Sequence, residues 1–123
     1  MQTNPVGWFE IYVQDMPRAK AFYEAVFGAS LTQLSAGEVE MWAFPMQPQA
    51  SGASGALVRY AGFKSGDNSV IVYFTCADCA VEEARAAQAG GKVHKTKFSI
   101  GQYGFISLVT DTEGNMIGLH SMR

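Results

Sequence analysis

The feature that most constrains this chain is an internal repeat carried by a few landmarks. Asp15 and Asp78 stand 63 positions apart (78 − 15), and the same spacing carries Gly28 onto Gly91 and Gly55 onto Gly118. In each half the Asp follows a run of β-branched and aromatic residues and precedes an amphipathic stretch that ends in glycine. A unit of about 60 residues is too small to hide both faces of its own sheet, so the two copies are expected to curve around a shared interior.

The local signals agree with this division. Residues 6–13 read as a strand, because β-branched and aromatic side chains dominate and no helical spacing of apolar residues occurs. Asp15 is placed to accept hydrogen bonds from the free N–H groups of a helix start, and Pro17 in the first turn loses nothing by lacking its own N–H. Ala19, Phe22, Tyr23, Val26 and Phe27 then recur at the three- and four-residue spacing of one buried helical face, and Gly28 ends it. Strands are predicted at 30–34, 38–44 and 55–60, with an aperiodic loop at 45–54 and a linker at 61–68. The second half repeats the order: a strand at 69–76, a helix from Asp78 to Gly90-Gly91, and strands at 92–97, 103–109 and 116–122. The turn Asp111-Thr112-Glu113-Gly114-Asn115 joins the last two, with Gly and Asn expected to supply positive φ. The fold class is therefore α+β, two βαβββ modules whose curved mixed sheets share a cavity. A single domain over 1–123 is expected, with module 1 at about 1–62 and module 2 at about 68–123.

Composition narrows the function. With 123 residues and 48% apolar content the chain can bury a core. Its net charge of −2, with nine Lys and Arg scattered along it, offers no basic stripe for a phosphate backbone, so nucleic acid is not an expected partner. No apolar run approaches the roughly 20 residues that span a bilayer, and the first thirteen residues show no secretory pattern. No membrane association is expected, and the cytoplasm is the expected location. Cys76 and Cys79 have the spacing of a redox pair, but Cys76 continues a strand's alternation and no second pair completes a zinc site. No Gly-rich phosphate loop precedes a helix, and no Ser or Cys has an evident His and Asp partnership.

Gly7-Trp8-Phe9-Glu10-Ile11-Tyr12-Val13, Asp15-Met16, Arg18-Ala19, Phe22-Tyr23 and Val26-Phe27-Gly28 resemble the opening module of the glyoxalase, bleomycin-resistance and extradiol dioxygenase (vicinal oxygen chelate) superfamily. The run from Asp111 to Leu119 resembles the end of its second module. The resemblance covers nearly the whole chain, but its motifs serve the scaffold, and the superfamily includes lyases, epimerases, dioxygenases, thiol transferases and antibiotic-sequestering proteins. In the enzymes a divalent ion is held by His, Glu or Gln from the first and last strands of a module. Carried onto this sequence, those positions fall on Trp8, Ile71, Gly55 and Gly118, none of which can ligate a metal. A shift of two, which keeps the same strand face, gives Glu10, Tyr73, Leu57 and His120. Two of these are conceivable ligands, short of the three that catalytic zinc or non-haem iron takes.

The resemblance therefore implies a small-molecule binding protein or enzyme without the usual metal ligands, and no cofactor is expected. Glu10 and His120 are the candidate catalytic residues, for general acid–base work of the lyase or isomerase kind. Trp8, Tyr12, Trp42, Tyr73 and Tyr103 are candidates to line the pocket of a small organic molecule. His94, among Lys92, Lys95 and Lys97, reads as part of a solvated strand face. Two alternatives stand beside this: a metal-dependent lyase, isomerase or dioxygenase with an atypical ligand set, and a protein that sequesters an antibiotic or toxin. A homodimer is expected, with module pairing either internal or exchanged between protomers.

Overall fold

The computed structural model describes residues 4, 6 and 8–123; Gly7, within the first expected strand, lies outside them. The chain runs β1 (Trp8–Tyr12), α1 (Met16–Phe27), β2 (Thr32–Ser35), β3 (Val39–Ala43), β4 (Ser54–Tyr60), β5 (Tyr73–Thr75), α2 (Cys79–Gln88), β6 (Lys92–Ser99), β7 (Phe105–Thr110) and β8 (Met116–Ser121). Two mixed four-stranded sheets result, ordered β1-β4-β3-β2 and β5-β8-β7-β6. In each, the first strand of the module pairs in parallel with the last, so the α+β repeat of strand, helix and three strands is observed.

Equivalent chemistry starts both helices. The Asp15 side chain accepts from Arg18 N at 3.1 Å, and that of Asp78 from Ala80 N at 3.0 Å. Gly28 closes α1 in the left-handed region (φ 63°). After α2 that conformation belongs to Gly90 (φ 99°), one residue before the position the repeat spacing gives. Gly91 serves a close approach instead: a Cβ there would stand 2.5 Å from Thr110 O and 2.7 Å from the Phe22 ring.

Two local expectations change. The strand expected at 69–76 is only Tyr73–Thr75, because the side-chain amide of Asn68 takes the backbone groups of Met116, donating to its O at 3.0 Å and accepting from its N at 3.1 Å. In the β7–β8 turn Gly114 alone adopts positive φ (84°), and Asn115 works through its side chain.

Strand alternation separates two faces. Phe9, Ile11, Leu57, Phe74, Val109, Ile117 and Leu119 face the helices and join Met16, Ala19, Phe22, Tyr23, Val26, Cys79 and Ala86 in one core drawn from both halves. On the opposite face of the first sheet a smaller cluster of Ala43, Ala56 and Val58 packs with Tyr12, Val39, Met41 and Tyr60.

The halves are joined by the β7–β8 turn. Glu113, whose side chain is inaccessible to solvent, accepts from the backbone N of Gln14 and Asp15, both at 3.0 Å, and from Arg18 Nε at 2.7 Å and Nη2 at 2.9 Å. Asp111 accepts the buried Tyr23 hydroxyl at 2.6 Å, and Asn115 Nδ2 donates to Tyr12 O at 3.0 Å. The turn of the second module thus supplies acceptors to the first module's helix start, where free N–H groups would otherwise be left over.

Candidate functional site

The open faces, away from the helices, carry most of the candidate residues. On β1, Trp8, Glu10 and Tyr12 alternate with core residues. Glu10 accepts from Trp8 Nε1 at 3.3 Å through one carboxylate oxygen and from the Tyr12 hydroxyl at 2.9 Å through the other. The hydrogen bond to Glu10, with burial and the carboxylate's charge, raises the Tyr12 pKa, so the phenol stays a donor. Glu10 is exposed. With Tyr12, Lys64, Asp67, Asn68 and Asn115 it lines a cavity of about 280 Å³.

On the second sheet Tyr73 lies opposite Gly118 and Thr75 opposite His120, in parallel register. The missing side chain of Gly118 makes room for the Tyr73 ring, which a Cβ would strike. Tyr73, Thr75, Ile100, Ile106 and His120 line a cavity of about 310 Å³. His120 Nε2 is 2.6 Å from the carbonyl O of Tyr103. A carbonyl only accepts, so Nε2 carries the hydrogen and Nδ1 is the ring's acceptor in the neutral form.

The two candidate catalytic residues therefore line different cavities. Tyr73 and His120 are brought together, and Trp8 and Tyr12 join Glu10. Tyr103 stands in a 3-10 turn (Gly101–Tyr103), is 66% exposed, and offers its backbone rather than its ring. Trp42 is on the other face: it lies opposite Leu57, packs against the main core, donates from Nε1 to Glu40 at 3.1 Å and carries Lys20 Nζ 3.8 Å from its ring centre. Leu57 is likewise in the core.

The cysteines are free and buried. Burial first, and then the neighbouring Glu82 charge, pushes the Cys76 thiol up to about 12, which leaves it protonated and unreactive at neutral pH.

A profile of the Glyoxalase/Bleomycin resistance protein/Dioxygenase superfamily matches residues 6–119. The chain belongs to this superfamily. No curated protein sequence matches it significantly. Among solved structures it resembles a glyoxylase/bleomycin resistance protein/dioxygenase domain from Frankia sp. EAN1pec (TM-score 0.74, 14% identity, 99% of this chain and 100% of that one). It also resembles a hypothetical protein from S. aureus (0.71, 15%, 98% and 95%). Glyoxalase I from Zea mays is similar too (0.73, 16%, 96% of this chain), but the match spans only 46% of the maize chain. At these identities the likeness establishes the fold.

The resemblance assigns the superfamily's divalent ion to the positions of Trp8, Ile71, Gly55 and Gly118. Trp8 and Gly118 do lie on open faces, and Ile71 precedes β5. The counterpart of Gly118 is Ala56, however, and not Gly55: Tyr73 pairs with Gly118 as Glu10 pairs with Ala56, whereas Gly55 pairs with the core-facing Phe9. Indole, sec-butyl and methyl groups and a hydrogen offer no lone pair to a metal. Among the described residues no group of three or more His, Cys, Asp or Glu could hold an ion.

Proposed function

We propose that the protein binds a small organic molecule on the open face of its second sheet without a divalent ion at the superfamily's positions, and that a second copy of the chain covers the site. The cavity lined by Tyr73, Thr75, Ile100, Ile106 and His120 carries this reading. Its walls are mostly apolar, and one imidazole fixed by Tyr103 O provides a directed polar contact. Tyr73 supplies a flat surface for an unsaturated ring. Trp8 and Tyr73 remain 39% and 47% exposed, and Leu34, Ile100 and Tyr103 are exposed as well, a quantity of apolar surface that suits coverage by a partner. Acid–base chemistry, where it occurs, falls to His120 alone in this cavity, since Glu10 lines another.

The test uses 1-anilinonaphthalene-8-sulfonate as a fluorescent probe of the apolar site. Saturable binding at one site per chain is expected, with Ile100→Asp weakening it at least about tenfold, the loss expected when a charge enters an apolar wall. Ile100 is 36% exposed, so the thermal midpoint should barely move. Equal binding by the variant would sink the assignment of the cavity. Stoichiometric divalent metal in protein purified without chelator would sink the metal-free part.

A further inference from the structure

A second cavity of about 350 Å³ lies on the opposite flank of β5, lined among others by Phe9, Phe27, Phe44, Phe74, Thr75 and Glu82. We infer that this crevice between the two modules binds an organic cation, an ammonium or amidinium group on an apolar body, with Glu82 as its counter-ion. It shares Tyr73 and Thr75 of β5 with the cavity holding His120, but none of that cavity's other lining residues.

The rings come from α1, β1, β5 and the start of the β3–β4 connection, so the crevice exists only when both modules are in place. Their centres lie close: Phe27 and Phe74 stack at 4.4 Å, and Phe9 stands 5.8 Å from Phe44 and 6.0 Å from Phe74. Aromatic π faces attract cations, most strongly where water is excluded.

Glu82 supplies the charge. It sits in the first turn of α2, where the helix dipole favours a carboxylate. Its side chain is only partly exposed; Oε1 is buried with no donor beyond the weak one offered by the neighbouring Cys76 thiol, and the other oxygen is 4.0 Å from Arg85 Nη1. Arg85 also spends a donor on Val26 O at 3.3 Å. A largely buried carboxylate whose neighbours are a weak thiol donor and a guanidinium 4.0 Å away is undercompensated, and a cation at the accessible part of this side chain supplies the missing charge.

The strand edge adds acceptors. Gly118 N donates to Val72 O and Cys76 N to His120 O, so the alternating backbone groups of Tyr73 and Thr75 point away from β8, toward the free edge of β5. Their carbonyls suit the N–H groups of an ammonium that the single carboxylate leaves over. An anionic ligand would meet Glu82 and these carbonyls and be repelled.

The experiment titrates the protein with 2-phenylethylammonium and with neutral 2-phenylethanol at pH 7, following backbone amide shifts by NMR. The cation is expected to bind at least about tenfold more tightly than the alcohol, with shifts centred on Ala29, Phe44 and Phe74, which line this crevice and not the His120 cavity. Glu82→Gln should remove that preference and leave alcohol binding unchanged. Ala29→Leu, which keeps Glu82 and narrows the crevice from a half-buried position in its lining, should weaken both probes and decides the matter if Glu82→Gln does not fold. Equal affinity of the two probes in wild type, or shifts confined to Ile100, Ile106 and His120, would overturn the inference. The second result would leave the ligand site on the open face of the second sheet intact.

Discussion

Replacing Glu113 by Gln removes one negative charge from the junction between the modules and changes little in shape. Burial alone would raise this carboxyl's pKa, but Arg18 and the backbone N–H groups of Asp15 and Gln14 outweigh it and hold it at about 2 against an ordinary 4.5. Taken at face value the difference corresponds to at most about 3 kcal/mol at neutral pH. The Arg18 side chain is 53% exposed, so solvent screening brings the expectation to about 1–2 kcal/mol. The sign follows from the depressed pKa. This contribution is complete above the unfolded value near 4.5 and is lost as pH falls toward about 2. Urea unfolding of wild type and Glu113→Gln, compared at a series of pH values, should therefore show a gap of about 1–2 kcal/mol at pH 7 that has shrunk by more than about half at pH 3. Urea is preferable to guanidinium, whose ionic strength would screen the pair. A gap that is absent at pH 7, or that stays constant down to pH 3, would refute the assignment of Glu113 as a charged clasp.

Gly55→Ala should cost more stability than Gly118→Ala, on the order of 3 kcal/mol against about 1, because the new methyl at 55 meets the backbone O of Phe9 as well as its ring, whereas at 118 it meets the half-exposed Tyr73 ring, which can swing away; thermal unfolding would read the difference, and the reverse order would count against the register. Iodoacetamide at pH 8 should leave Cys76 unmodified in the native protein and label it after denaturation, since its thiol is held near 12; native labelling at the rate of a free thiol would contradict this. Sedimentation in the micromolar range should give the mass of two chains if a second copy covers the open faces, and a monomer at every concentration would remove that part of the proposal.

The repeat was readable because it rests on backbone chemistry. Helix caps and left-handed closures need particular residues, and Asp15, Asp78 and Gly28 are where such residues are required. The sheet register was not readable to one residue. The spacing of 63 relates β1 to β5, but β4 pairs one position out of step with β8, so Gly55 faces the core and Gly118 the open side. A one-residue slip exchanges the faces of a strand and leaves its composition unchanged, so no landmark in the sequence records it. Trp42 was misplaced for a related reason. In β3 both faces carry apolar residues, and the choice between Met41 and Trp42 is made by α1, whose Lys20 covers the indole.

The sites divide along the same line. Glu10, Trp8 and Tyr12 could be grouped from sequence because residues two apart on a strand must share a face, and Glu10 does bridge the other two. His120 could be placed on an open face by the same parity, but its separation from Glu10 depends on how two sheets are set against one core, which no local pattern fixes. Glu82 gave no signal at all. In sequence it is one more acidic residue in the first turn of a helix, where a favourable dipole accounts for it fully. Its other character comes from Phe9, Phe27, Phe44 and Phe74, which reach it from four separate segments of chain. Each of those phenylalanines reads as ordinary core, and all four do pack there; the carboxylate beside them is what turns a gap between modules into a surface with a preferred charge. Function in a scaffold built by repetition can thus lie at the seam, where the two copies meet and neither copy's pattern applies.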